Sequence, residues 1–179
     1  QMNKQVRFTD FAPYEPKGNV PAAFLAKGVK ISNSLLGTTN QTSRTNLGSQ
    51  LVVALQLSDS TLNEVMLQRT GLGETGESYL VGPDLKPRTS TRDPNRNLAS
   101  SLSGEVSLNG ADTEPVRLAL AGQSDTGLYQ NYNGDWVLAS FSPINAHDQT
   151  WALITEIQAS EVLRPVWILA LVVLVLLLG

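Results

Sequence analysis

The segment Gly71-Leu72-Gly73-Glu74-Thr75-Gly76-Glu77-Ser78-Tyr79-Leu80-Val81-Gly82-Pro83-Asp84 decides how the rest of the chain is read. Three glycines within six residues specify a tight connection, because only a residue without Cβ takes positive φ or admits a close backbone approach at little cost. Beyond them Tyr79 and Val81 project to one side of an extended run and Leu80 to the other. Upstream, Thr61 and Glu64 have capping-box spacing, which predicts a short amphipathic helix through about Arg69, with Leu62, Val65 and Met66 apolar. The glycines therefore end a helix and enter a strand. Gly71, Gly73 and Gly76 also satisfy G-x-G-x-x-G, but that dinucleotide fingerprint needs a strand before it and a helix after it. Here the order is reversed, and Glu74 and Glu77 would repel a phosphate, so the segment reads as a structural joint.

Working outward, Val6 to Phe11 alternates like a strand and stops at the proline-rich loop Pro13 to Asn19. Pro21 to Ile31 is a second extended run, and residues 32 to 50, rich in Ser, Thr, Asn and Gly, read as a surface excursion. Leu51, Val53, Leu55 and Leu57 share one face of what looks like a core strand. After the central segment, residues 86 to 96 are polar and carry Arg88, Arg92 and Arg96. A short helix is predicted over Pro115 to Ala121, ending at Gly122. Leu128 to Tyr132 and Asp135 to Phe141 flank Asn133-Gly134, a hairpin signal whose two turn positions would both take positive φ. Pro143 to Gln149 form a further turn, and Trp151 to Ile157 complete a meander of three antiparallel strands. The class is α+β.

A chain of 179 residues makes one ordinary domain with a proper core. With 13 Lys and Arg against 16 Asp and Glu it carries a net charge of -3, and no basic block tracks a phosphate backbone, so nucleic acid is not an expected partner. The absence of cysteine excludes disulfides, a thiolate nucleophile and Cys-based metal sites. The single histidine, His147, makes no metal cluster, and no cofactor is expected. The chain begins Gln1-Met2-Asn3-Lys4 without a charged and apolar leader, as a processed or partial chain would. At the other end Val166 to Gly179 passes without a charge. As a helix it would span about 21 Å, short of the roughly 30 Å hydrocarbon core. It reads as the start of a transmembrane helix, with a buried core helix as the alternative.

Phe8-Thr9-Asp10-Phe11-Ala12-Pro13-Tyr14-Glu15-Pro16, Pro21-Ala22-Ala23-Phe24 and the central Gly71 to Asp84 segment together resemble the membrane-proximal half of a double Cache sensor domain. The likeness continues in the same order through Asn131 to Leu138, Ser142-Pro143-Ile144 and Trp151 to Ile157, and covers roughly residues 6 to 162. Cache domains are PAS-like extracytoplasmic sensors of bacterial chemoreceptors, histidine kinases and nucleotide cyclases. The resemblance implies a central antiparallel sheet of about five to six strands, flanking helices and a transmembrane helix directly after it. It also implies a homodimer in the full receptor, with residues 1–160 outside the bacterial inner membrane and 161–179 beginning the membrane helix. Arg88-Thr89-Ser90-Thr91-Arg92 is similar to the family's Arg-Ser-x-Ser-Arg run, with Thr in place of the first Ser. The family's amino-acid pocket lies in the distal module, so no ligand-binding motif carries over.

Chemistry is sparse. Gly76 to Leu80 approaches a nucleophile elbow around Ser78 but lacks the second glycine and the following helix. His147, its only base, sits in a predicted loop with Asp148 poorly placed to orient it. Arg88, Arg92 and Arg96 could grip a small anion bidentately, or form a solvated loop balanced by Asp84 and Asp93. Tyr79, Tyr129 and Tyr132 could line a concave sheet face or fill the core. Trp136 and Phe141 fall on opposite faces and cannot line one pocket. The candidate small-molecule contacts are thus Tyr79, Arg88, Arg92, Tyr129 and Tyr132. The expected function is a non-enzymatic sensory module that binds a small molecule or relays a signal to its membrane helix. The alternative is a membrane-anchored binding or structural domain without signalling output.

Overall fold

The structure, a computed structural model, describes residues 6–30, 50–68, 70–91 and 110–178. The chain divides into two compact units, Gln1–Leu57 and Ser58–Gly179, with the division falling inside the single module expected for residues 1–160. In the first unit, strands β1 (Arg7–Tyr14), β2 (Val20–Lys30) and β3 (Gln50–Ser58) form a sheet in the order β1-β2-β3. β1 and β2 pair antiparallel, with an irregularity between Thr9 and Ala12. Among the described residues of this unit, Phe8, Phe11, Ala22 and Ala23 are buried. β1 runs past Pro13, which lies opposite Pro21, and the loop predicted there shortens to a 3-10 turn, Glu15–Lys17. β3 forms where its alternation predicts, but Leu51, Val52, Val53 and Leu55 are exposed. The strand is real and the expected core position is not, because β3 is the edge of its sheet and apolar residues occupy both of its faces. Most of the surface excursion predicted for 32 to 50 lies outside the described residues.

The second unit begins with helix α1 (Asp59–Met66). Its N-cap is Ser58, held extended at φ -97 and ψ 148, so Thr61 falls inside the helix rather than at its cap. Strand β4 (Glu77–Val81) follows the glycine-rich turn, and helix α2 (Glu114–Leu120) starts with Pro115 in its first turn, where a missing N–H costs nothing. Strands β5 (Asp125–Gln130), β6 (Trp136–Ala146) and β7 (Gln149–Gln158) complete the meander, and the sheet order is β4-β7-β6-β5. β6 extends through Pro143, where a turn was expected, because β5 pairs only as far as Phe141. Beyond that point, among the described residues, β6 pairs with β7 on one side alone, so Pro143 deprives no second described neighbour of a hydrogen bond. The turn itself narrows to His147 and Asp148.

α2 packs across β7 and β6 and buries Pro115, Val116 and Ala119. Tyr79, Val81, Val116, Phe141 and Ile154 centre the resulting core. β7 then passes without a break into helix α3 (Ala159–Leu178), twenty residues that rise about 30 Å. Its mean hydropathy is 2.4 and none of it is buried, so it is long and apolar enough to cross a membrane. The helix starts seven residues before the apolar run and thereby supplies the length that the run alone lacks. Pro165 lies inside it and has no N–H to donate to the carbonyl of Glu161, which loosens the helix between its first turn and its apolar part.

Candidate functional site

The glycine-rich turn is a joint, and what it joins is the base of α3. The Glu161 carboxylate, in the first turn of that helix, accepts hydrogen bonds from the backbone N–H groups of Glu74 at 2.8 Å and Thr75 at 2.7 Å. The Thr75 hydroxyl donates to the same carboxylate and accepts from the N–H of Gln158, the last residue of β7, at 3.1 Å. Successive N–H groups turned to one point make a small anion-binding concavity, here filled by the protein's own carboxylate. The turn needs its glycines for that purpose. Gly73 has φ +69, and a Cβ on it would lie 2.3 Å from Glu161 Oε1. A Cβ on Gly76 would lie 1.9 Å from the Leu72 carbonyl oxygen.

Directly beyond the turn, β4 and β7 place Glu77 opposite Glu156. Glu156 is 4% exposed. Its Oε2 accepts from the Tyr79 hydroxyl at 2.9 Å and its Oε1 from Asn131 Nδ2 at 3.0 Å. Burial pushes its pKa up to about 7, with the charges of Glu77 and Asp135 adding to the rise while the two hydrogen bonds oppose it. The Tyr132 hydroxyl donates to Glu77 Oε1 at 2.6 Å, and the Tyr79 and Tyr132 rings meet edge to face at 5.6 Å. Burial raises both phenols well above their ordinary value.

The β5–β6 turn is shaped around this cluster. The Gly134 N–H bonds to the Asn131 carbonyl at 2.9 Å, so Tyr132 and Asn133 are the central pair and Gly134 follows at φ 85. Asn133 does not take positive φ, which corrects the two-residue Asn-Gly turn expected from the sequence. Asn131 Oδ1 accepts from the N–H groups of Asn133 at 2.9 Å and Asp135 at 3.0 Å. That side chain holds the turn so that Tyr132 can point inward.

Of the five candidate contact residues, Tyr79, Arg88, Tyr129 and Tyr132 are described. Tyr79 and Tyr132 are core residues tied to carboxylates. Tyr129 stacks edge to face on Phe141 at 5.6 Å and borders an open hollow of about 570 Å³ that Trp136, Asn131, Asp112 and Glu114 also line. Arg88 is 3% exposed, paired with Asp84 at 2.9 Å and donating to the Lys86 carbonyl at 2.9 Å. Its fork is thus turned inward, packed where Gly82 leaves room, and it is neither solvated nor presented to the hollow. Arg92 and Arg96 lie outside the described residues. Ser78 bonds to Thr155 Oγ1 at 2.9 Å, while His147 is exposed in the turn at the start of β7, about 25 Å away along the strand. No nucleophile and base meet there. The sequence reading did not single out Glu161, Thr75, Glu156 or Asn131.

No protein-family model and no curated protein sequence matches the chain. Solved structures do. The periplasmic sensory domain of the Campylobacter jejuni chemoreceptor Tlp1 matches with a TM-score of 0.57 at 14% identity, over 92% of this chain and 53% of that one. The extracellular domain assigned to a histidine kinase, mmHK1S-Z3, matches with a TM-score of 0.52 at 14% identity, over 90% of this chain and 52% of that one. The ligand-binding domain of the Pseudomonas aeruginosa amino acid chemoreceptor PctB, in complex with L-Arg, gives 0.49 at 16% identity, over 88% and 56%. The chain spans about half the length of these domains. The fold is the α+β fold of Cache-type sensor modules, with two antiparallel sheets and a C-terminal apolar helix.

Proposed function

We propose that the chain is the membrane-proximal part of an extracytoplasmic sensor in a bacterial transmembrane receptor, with residues 1–160 outside the inner membrane and α3 carrying its output inward. The observation that carries this reading is the joint at Glu161. A strand from the centre of the sheet becomes the membrane helix, and the first turn of that helix is tied back to the glycine-rich turn through Thr75. A displacement of β7 against β4 therefore has a short path into α3. The shared fold with chemoreceptor and histidine kinase sensory domains supports the same reading. The displacement requires a small molecule, or an adjoining module, that favours one of two arrangements. Among the described residues, the hollow beside Tyr129 offers room for a small molecule. Two copies of the receptor side by side would bring two such helices together.

The sidedness is testable because residues 1–179 contain no cysteine. Asp125→Cys places one thiol at an exposed position at the start of β5. In cells expressing the intact protein, a membrane-impermeant methanethiosulfonate should block this thiol before lysis. Labelling only after the inner membrane is broken would contradict the assigned orientation.

A further inference from the structure

Glu156 is held by neutral donors only, the Tyr79 hydroxyl and the Asn131 amide. Among the described residues it has no ion pair. Glu77 is the charged group directly across on β4, and it is already engaged by Tyr132. Asp135, in the β5–β6 turn, is a second negative charge acting on it. On α2, which packs on β7, Glu114 and Arg117 face solvent and Arg117 is bound bidentately by Asp112. On α3, Glu161 is held by the glycine-rich turn and Arg164 is exposed. Arg88, at the far end of β4, is committed to Asp84. A buried carboxylate with negative neighbours and no cation is relieved by taking a proton.

We infer that the Glu77–Glu156 pair, with Tyr79 and Tyr132 over it and Asn131 closing its side, is a proton-binding switch that acts on the hold between β7 and the glycine-rich turn. The inference does not depend on the receptor reading. A solvent proton adds to a free lone pair of Glu156 Oε2, the carboxylate loses its charge, and the Tyr79 hydroxyl still donates to the same oxygen in a bond that is weaker once its acceptor is neutral. The pair is the last register position of β4 and β7 before the turn. Glu77 follows Gly76 directly, and Gln158, two residues after Glu156, donates to Thr75. Glu77 is therefore two residues from Thr75, which binds Glu161, and Glu156 is two residues from Gln158, which binds Thr75. The pKa of about 7 puts the transition within the range of ordinary external pH.

The test is NMR of the full chain in detergent micelles, with ¹³C at the glutamate side-chain carboxyl and ¹⁵N in the backbone. The Glu156 resonance is assigned from its disappearance in Glu156→Gln. The expected result is a titration of Glu156 centred near neutrality, with the Thr75 amide shift following the same midpoint and losing it in the Gln variant. A Glu156 midpoint near 4.5 overturns the switch. A Glu156 midpoint near neutrality with a flat Thr75 response overturns its action on the turn. If Glu156→Gln does not fold, the Tyr79→Phe variant keeps the question answerable. It removes one bond that favours the ionised form, so a carboxyl midpoint near neutrality in the parent must move further up, and the lack of any such resonance overturns the switch.

Discussion

Glu161→Ala removes one carboxylate from the base of α3 and with it three hydrogen bonds to the glycine-rich turn. A hydrogen bond to a charged group contributes about 1.5–3 kcal/mol when shielded. The bond to Glu74 is exposed and that to Thr75 half-buried, so water compensates much of the loss and screening lowers the rest. The net expectation is about 2 kcal/mol, or a fall in Tm of about 6–8 °C for a unit of this size. Gly73→Ala should cost a similar amount, because the added Cβ would meet Glu161 Oε1 at 2.3 Å and the residue must also hold φ +69. The two changes break the same contact, so the double variant should fall well short of the sum. Thermal unfolding of the three variants in micelles, followed by circular dichroism, measures this. A Tm for Glu161→Ala within 1 °C of the parent, or strict additivity with Gly73→Ala, would refute the joint as an energetic contact.

Stability should also depend on pH through Glu156. Its folded pKa of about 7 lies above the ordinary 4.5, so its contribution is complete below about 4.5 and is lost as pH rises through about 7. Across that window the unfolding equilibrium should shift toward unfolding by about two orders of magnitude, which denaturant titrations at pH 5 and pH 8 would register as a lower midpoint at pH 8, with Glu156→Gln showing a much smaller difference. Gly82→Ala would set a Cβ 2.1 Å from Arg88 Nη2 in a buried site. It should expel the guanidinium from its pairing with Asp84 and cost about 1–3 kcal/mol, and an unchanged denaturation midpoint would show that Arg88 relocates freely.

Local rules made most elements of the second unit legible. Period-2 alternation located β4, β6 and β7, and Pro115 with Gly122 bracketed α2. Burial was harder to read, as β3 shows: a run of Val and Leu predicts a strand but not what covers it. The hairpin was misjudged because Asn133-Gly134 is a strong local signal, while the Asn131 side chain, bonded to two turn N–H groups, selects a longer turn. The cluster around Glu156 was partly readable. In Trp151 to Ile157 the residues Ala152, Ile154 and Glu156 share one face, so a charge on the core side was visible, though its partners come from β4 and the β5–β6 turn and no spacing reveals them. Glu161 reaches the glycine-rich turn across a sequence separation of 86–87 residues. The turn's glycines announced a close approach without saying what approaches.

The central claim is that the sheet passes its state to α3 through Glu161. Its most direct test joins α3, through its apolar run, to the cytoplasmic part of a histidine kinase of known output. Kinase activity in membranes is then compared for the parent and Glu161→Ala at equal protein levels. The account predicts a several-fold change in basal activity when the carboxylate is removed. Equal activity in the two, with the hybrid properly inserted, would contradict it and favour an anchored binding domain without signalling output.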